Sequence, residues 1–457
     1  MFIHDLIQRN LKCDREESGY VLFSFTFFFC LMASYYILQP LRDETGVLLG
    51  DTPTLFLWTM AVMFLVNPIF SMVMARIPRP ALVPVIYRFF IFNQLLFILG
   101  FKAIGAASGQ AEVVGSARLI PSIFFVWVSV FNLFAMSLFW SVMADRFSGS
   151  QSKKFFGFIG AGGTAGQLVG STIAGLLVSR LGATNLIFVS MFLLELSVRA
   201  RPSLDDVVRE QQAADFKAAG SAKERPKPWT GVLLVLKSPY LFGICAYLFL
   251  YTFTSSFIYF QKQMVVGDVF KTREARVAFF GWMNFISSGG TLFVQLFITG
   301  RVISALGMVF SLALVPAFTC VGFVGLAMQP GLILLSLFDA VRKMLNYAIA
   351  RPSREILFTV VSKEDKYIAK NFVDTFVYRA GDSMASFAFT GIKNLHLGGQ
   401  AYSWAAVPFS CLWVVVATFL ARAQRKKQEA QEVALARVEA EEKGEIGFTT
   451  PQEGAVD

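Results

Sequence analysis

Charged residues that fall inside, or at the ends of, long apolar runs are the ones whose chemistry needs explaining. They are Arg42, Asp43 and Glu44 in the first run, Arg88 in the third, Glu195 in the sixth, Asp339, Arg342 and Lys343 in the tenth, and Asp374, Arg379 and Asp382 in the eleventh. Removing a charge from water without giving it a partner costs on the order of several kcal/mol, so such groups must face a cavity or one another. Asp339 and Lys343 stand four residues apart, on one face of a helix, and can pair directly. Asp374, Arg379 and Asp382 alternate in sign along their run. Two chemistries fit. Mutual neutralisation would make these residues internal ion pairs, whereas an excess of Arg and Lys lining a cavity would draw in an anion, with Arg suited to two-pronged contact with phosphate or carboxylate.

On the second reading, Arg42, Arg88, Arg342, Lys343 and Arg379 bind the substrate. Asp43, Asp339, Lys370, Asp374 and Asp382 then act as gating or ion-pairing groups. Asp145 and Arg146, followed by Lys153 and Lys154, occupy a short loop between the fourth and fifth runs. Charges at helix ends respond to the helix dipole and can reach a neighbouring helix, locking one access state, or can serve only to anchor the loop in the cytoplasm.

The elements that must position these residues are helices in a bilayer. Of 457 residues, 55% are hydrophobic and 16% charged, and the mean hydropathy is +0.57, whereas soluble domains carry roughly 25% charged residues. About twelve apolar runs, from Tyr20–Gln39 through Pro239–Phe260 to Tyr402–Ala421, approach the length needed to cross a hydrocarbon core of ~30 Å. The dyad alternation of an outer-membrane barrel is absent. The expectation is an all-α integral membrane protein with about twelve transmembrane helices in two six-helix halves.

Most of the 41 Lys and Arg fall in loops on one side if both termini are cytoplasmic, which supports that count and orientation. The net charge of +10 is therefore topological and gives no reason to expect nucleic acid. A polar segment, Arg201 to Pro228, separates the halves, so the expected organisation is 1–200, a linker at 201–230, 231–423, and a charged, disordered cytoplasmic tail at 424–457. A basic loop followed by a span bearing small residues recurs in each half, at Arg146–Gly157 and Arg351–Asp374. Such a 6+6 layout belongs to parallel-repeat transporters, whose substrate site lies between the halves.

Other chemistries find little support. The five cysteines are scattered without CxxC spacing and the only histidines are His4 and His396, so neither a metal site, a disulfide framework nor a histidine-based triad is expected. No cofactor is expected, and no Walker, HExxH or nucleophile-elbow motif points to an enzyme. Residues 1–19 lack signal-peptide character, so the first run is read as a retained helix. In the fifth run Gly162, Gly166 and Gly170 recur every fourth residue, which suits close helix packing and not a phosphate loop.

Four stretches resemble the ATP/ADP translocases, the nucleotide-exchange transporters of intracellular bacteria and plastids, over most of the chain. Gln39-Pro-Leu-Arg-Asp43 is similar to that family's Arg-Pro-Leu-Lys-Asp, with Arg42 at the place of a functional lysine. Leu138-Phe-Trp140 with Asp145 and Lys153-Lys-Phe-Phe-Gly157 resembles its passage between spans four and five. Tyr347 through Pro352-Ser-Arg-Glu355 and Lys370 through Asp374 to Arg379 resemble two further motifs. The family's acidic residues in spans four and seven are replaced here within Val128-Ser-Val130 and Thr254-Ser-Ser256, and its later lysine falls at Asp382. The resemblance implies a major-facilitator-like, monomeric antiporter of the bacterial inner membrane that exchanges a nucleotide or a related small anion. A proton-coupled permease titrating Asp43, Asp339 or Asp374, and a non-transporting scaffold, are the rival expectations.

Overall fold

The computed structural model describes residues 14–104, 115–147, 149–202, 235, 237–361 and 373–442. Lys370 and most of the linker lie outside these residues, and so does the side chain of Asp374, whose backbone belongs to the turn Val373–Val377. The helices are α1 (Arg15–Leu49), α2 (Thr52–Arg76), α3 (Arg79–Ala103), α4 (Leu119–Arg146), α5 (Gly149–Leu181) and α6 (Leu186–Arg199) before the linker. After it come α7 (Pro239–Val269), α8 (Arg273–Phe297), α9 (Thr299–Met328), α10 (Leu332–Leu345), α11 (Arg351–Leu357), α12 (Tyr378–Asn394) and α13 (Gln400–Glu442). A π-helical turn, Asn346–Ala350, joins α10 to α11 in one rod, so among the described residues each side of the linker holds six rods.

Nine helices among the described residues are long and apolar enough to cross a membrane. The sixth expected span is α6, only 14 residues long, and the tenth and eleventh are interrupted by π turns. The protein is an all-α integral membrane protein.

Local sequence accounts for several boundaries. Asp14 and Glu17 form a capping box at the start of α1, and Gly50 ends it with a left-handed φ of 67°. Ser238 and Thr272 cap α7 and α8 by accepting from backbone amides at Leu241 and Ala275. Pro40 lies inside α1; in lipid the backbone has no water to turn to, so the helix runs on through the proline. The charged triplet therefore does not mark the mouth of the first span, as the run ending at Gln39 implied. Glu44 lies five residues, about 8 Å, before the end of α1. For the same reason α7 extends past Phe260 to Val269 and takes Lys262 inside it. Within the expected tail α13 continues to Glu442, the last of the described residues.

In the first group α1 packs along α5 and against α4 and α6, over a core that includes Phe27, Phe124, Phe131 and Phe139. The glycine stripe makes this approach possible. A Cβ at Gly162 would come within 2.7 Å of the Phe25 carbonyl oxygen, and one at Gly166 or Gly170 would strike the carbonyl of Phe29 or Ala33. In the second group α7 packs on α12 and α13, and α9 on α13. Between groups, α2 packs on α12 and α5 on α8. Counted in rods, the second of each group meets the fifth of the other, as a parallel repeat about an axis along the membrane normal requires.

Candidate functional site

Charged side chains from both groups meet where α1 faces α7, α10 and α12. Arg42 lies over the ring of Phe125 at 4.1 Å and near those of Phe56 and Tyr259 at 5.7 and 5.9 Å. One of its terminal nitrogens is 3.5 Å from Asp43 Oδ1, and its buried Nε has no hydrogen-bond partner. Asp43 accepts a 2.7 Å hydrogen bond from the Tyr259 hydroxyl of α7. One turn along α7, Lys262 donates to Asp339 Oδ2 at 2.7 Å, and Lys343 approaches the same oxygen at 3.1 Å. On α12 Arg379 pairs with Asp382 at 3.3 Å, and Asp382 accepts from the Ser256 hydroxyl at 2.7 Å. The pairs act on one another electrostatically: Asp43 on Lys262 and Lys343, and Asp382 on Arg42.

The result is one cluster of four cations, Arg42, Lys262, Lys343 and Arg379, with three carboxylates, Asp43, Asp339 and Asp382. Lys262 and Asp339 are almost fully enclosed, whereas the Lys343 and Arg379 side chains keep 31% and 33% of their surface. A buried lysine tied to one carboxylate is held in place, and a second, accessible lysine on that carboxylate retains donors for an incoming anion.

A second cluster ties the groups together beyond this site, toward the end where α1 stops. Glu44, fully buried, accepts from Arg273 Nε at 2.9 Å and lies 3.8 Å from Arg276, both on α8. Arg273 also donates to Thr184 at 3.4 Å and stacks over Phe101. Nearby, Lys393 donates to the Gly50 carbonyl at 3.4 Å, and Phe56 packs on Phe260 at 5.0 Å. At the other end Gln151 pairs with Glu17, Arg79 with Asp145, and Tyr240 with the Leu357 carbonyl, each within one group.

This shape has counterparts among solved structures. No protein-family model matches the chain, and no curated protein does. A bacterial homologue of the iron transporter ferroportin in an inward-facing state matches with a TM-score of 0.58 at 13% identity, over 89% of this chain and 98% of its own. A POT family transporter in complex with 5-aminolevulinic acid gives 0.54 at 10%, over 89% and 96%. The nucleoside transporter NupG gives 0.53 at 14%, over 88% and 99%. The chain shares the overall fold of these solved structures.

Within that fold the expected site residues separate. Arg42, Lys343 and Arg379 come together with Asp43, Asp339 and Asp382, but two expected substrate contacts do not join them. Arg88 is 58% exposed and pairs with Glu195 at 3.1 Å. Arg342 is turned into the second group, donating to Thr319, Thr254 and Ser255 at 3.1, 3.1 and 2.8 Å. Its guanidinium is committed to holding α7, α9 and α10 together. Asp145 pairs with Arg79, and Arg146 stacks on Tyr20, so these two residues brace the first group internally.

Lys262, Tyr259 and Arg273 join these clusters although the pattern of apolar runs does not single them out. All three lie at or beyond the expected end of the seventh run, where a lysine or arginine reads as a loop charge. The signal that was present is Gln261-Lys-Gln263, too polar for a lipid-facing turn and too apolar in its surroundings for a loop.

Proposed function

We propose that the protein is a secondary transporter of the bacterial inner membrane that exchanges nucleotides, or a related anionic metabolite, by alternating access. The observation that carries this reading is the cluster of Arg42, Lys262, Lys343 and Arg379 at the interface of the two groups, with cations outnumbering carboxylates and two of them accessible. The units that move are the six-rod halves, 1–200 and 231–423, joined by the linker at 201–230. With both termini cytoplasmic, the Glu44–Arg273 cluster closes the far side, and the cytoplasmic side is the one free to admit substrate. The nucleotide itself is drawn from the resemblance of Arg42, Lys153–Gly157 and Arg351–Glu355 to the nucleotide exchangers, and the protein acts as a monomer.

Arg42 is the residue on which the reading turns. Its ring contacts fix the guanidinium plane, and its buried Nε has no hydrogen-bond partner. Purified protein in liposomes preloaded with ADP should take up labelled ATP, and Arg42→Ala should abolish uptake while leaving the protein folded. Absence of exchange with every nucleotide tested removes the nucleotide. Uptake that ignores internal nucleotide and collapses with a protonophore replaces exchange with proton coupling.

A further inference from the structure

A separate cavity of about 200 Å³ lies along the rod formed by α10 and α11, on the terminal side of the cluster just described. Tyr251, Asn346, Tyr347, Arg351, Arg354 and Tyr378 line it. Asn346 and Tyr347 come from the π-helical turn between α10 and α11, a widening that is frequent at functional sites. The cavity is built. Asn346 donates to the Tyr251 hydroxyl at 2.9 Å, Arg354 donates to the Tyr378 hydroxyl, and the Arg351 guanidinium lies 5.7 Å from the Tyr347 ring.

Arg354 shares the exposed Glu355 at 3.4 Å, and Arg351 makes no ion pair among the described residues. Lys343 and Arg351 are eight residues apart on one rod, about 12 Å along its axis. At about 200 Å³ the space is smaller than the roughly 300–1,000 Å³ of sites that enclose a whole drug-sized ligand, so it suits one end of a ligand.

We propose that this pocket is a binding site for the phosphate end of a solute, occupied on the terminal side before the solute reaches Lys343 and Arg42. The inference rests on the reading of the chain as a carrier of phosphorylated anions. Arg351 supplies the charge, the Tyr251 hydroxyl supplies a further donor, and the Tyr347 ring orients the Arg351 guanidinium. The pocket meets the solute first, and the inter-group cluster then holds it through the change of access.

The probe is pyrophosphate, which has the charge but no base, titrated calorimetrically into protein in zwitterionic nanodiscs alongside ADP. Arg351→Gln should weaken both ligands about tenfold, the loss of one charge-assisted hydrogen bond, and Arg351→Lys should recover part of it. In exchange assays Arg351→Gln should raise KM with little change in maximal rate, whereas Arg42→Ala should remove exchange. If wild type exchanges nucleotide and Arg351→Gln changes neither affinity nor KM, this pocket is refuted and the transport reading stands. If wild type neither binds nor exchanges either probe, the transport reading fails and takes the pocket with it. If pyrophosphate binding is unchanged but Arg351→Gln loses retained phosphatidylglycerol in nanodiscs containing that lipid, the arginine holds a headgroup and the solute site is refuted.

Discussion

Glu44→Gln would test whether the cluster at the far end of α1 holds one access state. Glu44 is fully buried and Arg273 is only 4% exposed, with 2.9 Å between their atoms, while Arg276 stands further off at 3.8 Å. Neutralising the carboxylate leaves the buried Arg273 guanidinium without the Glu44 counter-charge, and breaking a buried pair from one side costs about 3–5 kcal/mol. That cost applies only while the far end is closed, because opening returns Arg273 to water. A differential of about 3 kcal/mol is a shift of more than 100-fold, enough to lift an open form from about 1% to more than half of the molecules. Spin labels on Asp51→Cys and Asn394→Cys, beside the Lys393 to Gly50 contact and in a background without native cysteines, would report the separation by double electron–electron resonance. The wild type should give a short distance and Glu44→Gln a second, longer population, which the added change Arg273→Gln should suppress. An unchanged distance distribution in folded Glu44→Gln protein would refute the reasoning, and the cluster would be structural support only.

Gly166→Ala should lower the melting temperature, because the added methyl strikes the Phe29 carbonyl and forces α1 from α5 at an overpacking cost of about 1–3 kcal/mol; a thermal melt in detergent reads it. Lys343→Gln should raise KM for anionic substrate about tenfold without unfolding the protein, since Lys262 still neutralises Asp339. Arg88→Gln should leave KM unchanged in the same liposome assay, because its partner Glu195 lies outside the inter-group cluster.

The fold was largely legible because its determinants are local. A run of twenty apolar residues, the side on which Lys and Arg gather, and a glycine every fourth residue each act through one segment and its solvent. The site was legible only in part. Asp339 and Lys343 pair as their spacing on one helix requires, and Arg379 pairs with Asp382 three residues on. Arg342, one residue from Lys343, points the other way, since neighbours on a helix differ by about 100° in direction and tertiary packing decides which of them faces the interface. Lys262 was hidden by the assumption that a helix ends where its apolarity does. Burial against Asp339 keeps it inside α7, and that partner lies 77 residues away in sequence. The π turn at Asn346–Ala350 has no sequence signature of its own, so the cavity it opens could be seen only in three dimensions.

The last helix, α13, spans 43 residues, or about 64 Å. A hydrocarbon core takes up ~30 Å of it, and near its polar part the exposed Arg425 pairs with Glu429 at 2.8 Å. A rod anchored by Trp413 and Leu420 in the second group and projecting about 30 Å past the lipid is a pointer. A turn of that group by about 15°, the size of a quaternary rotation, would sweep its tip through about 8 Å. A fluorophore placed near Glu442 would therefore make the movement of buried helices visible from the aqueous phase.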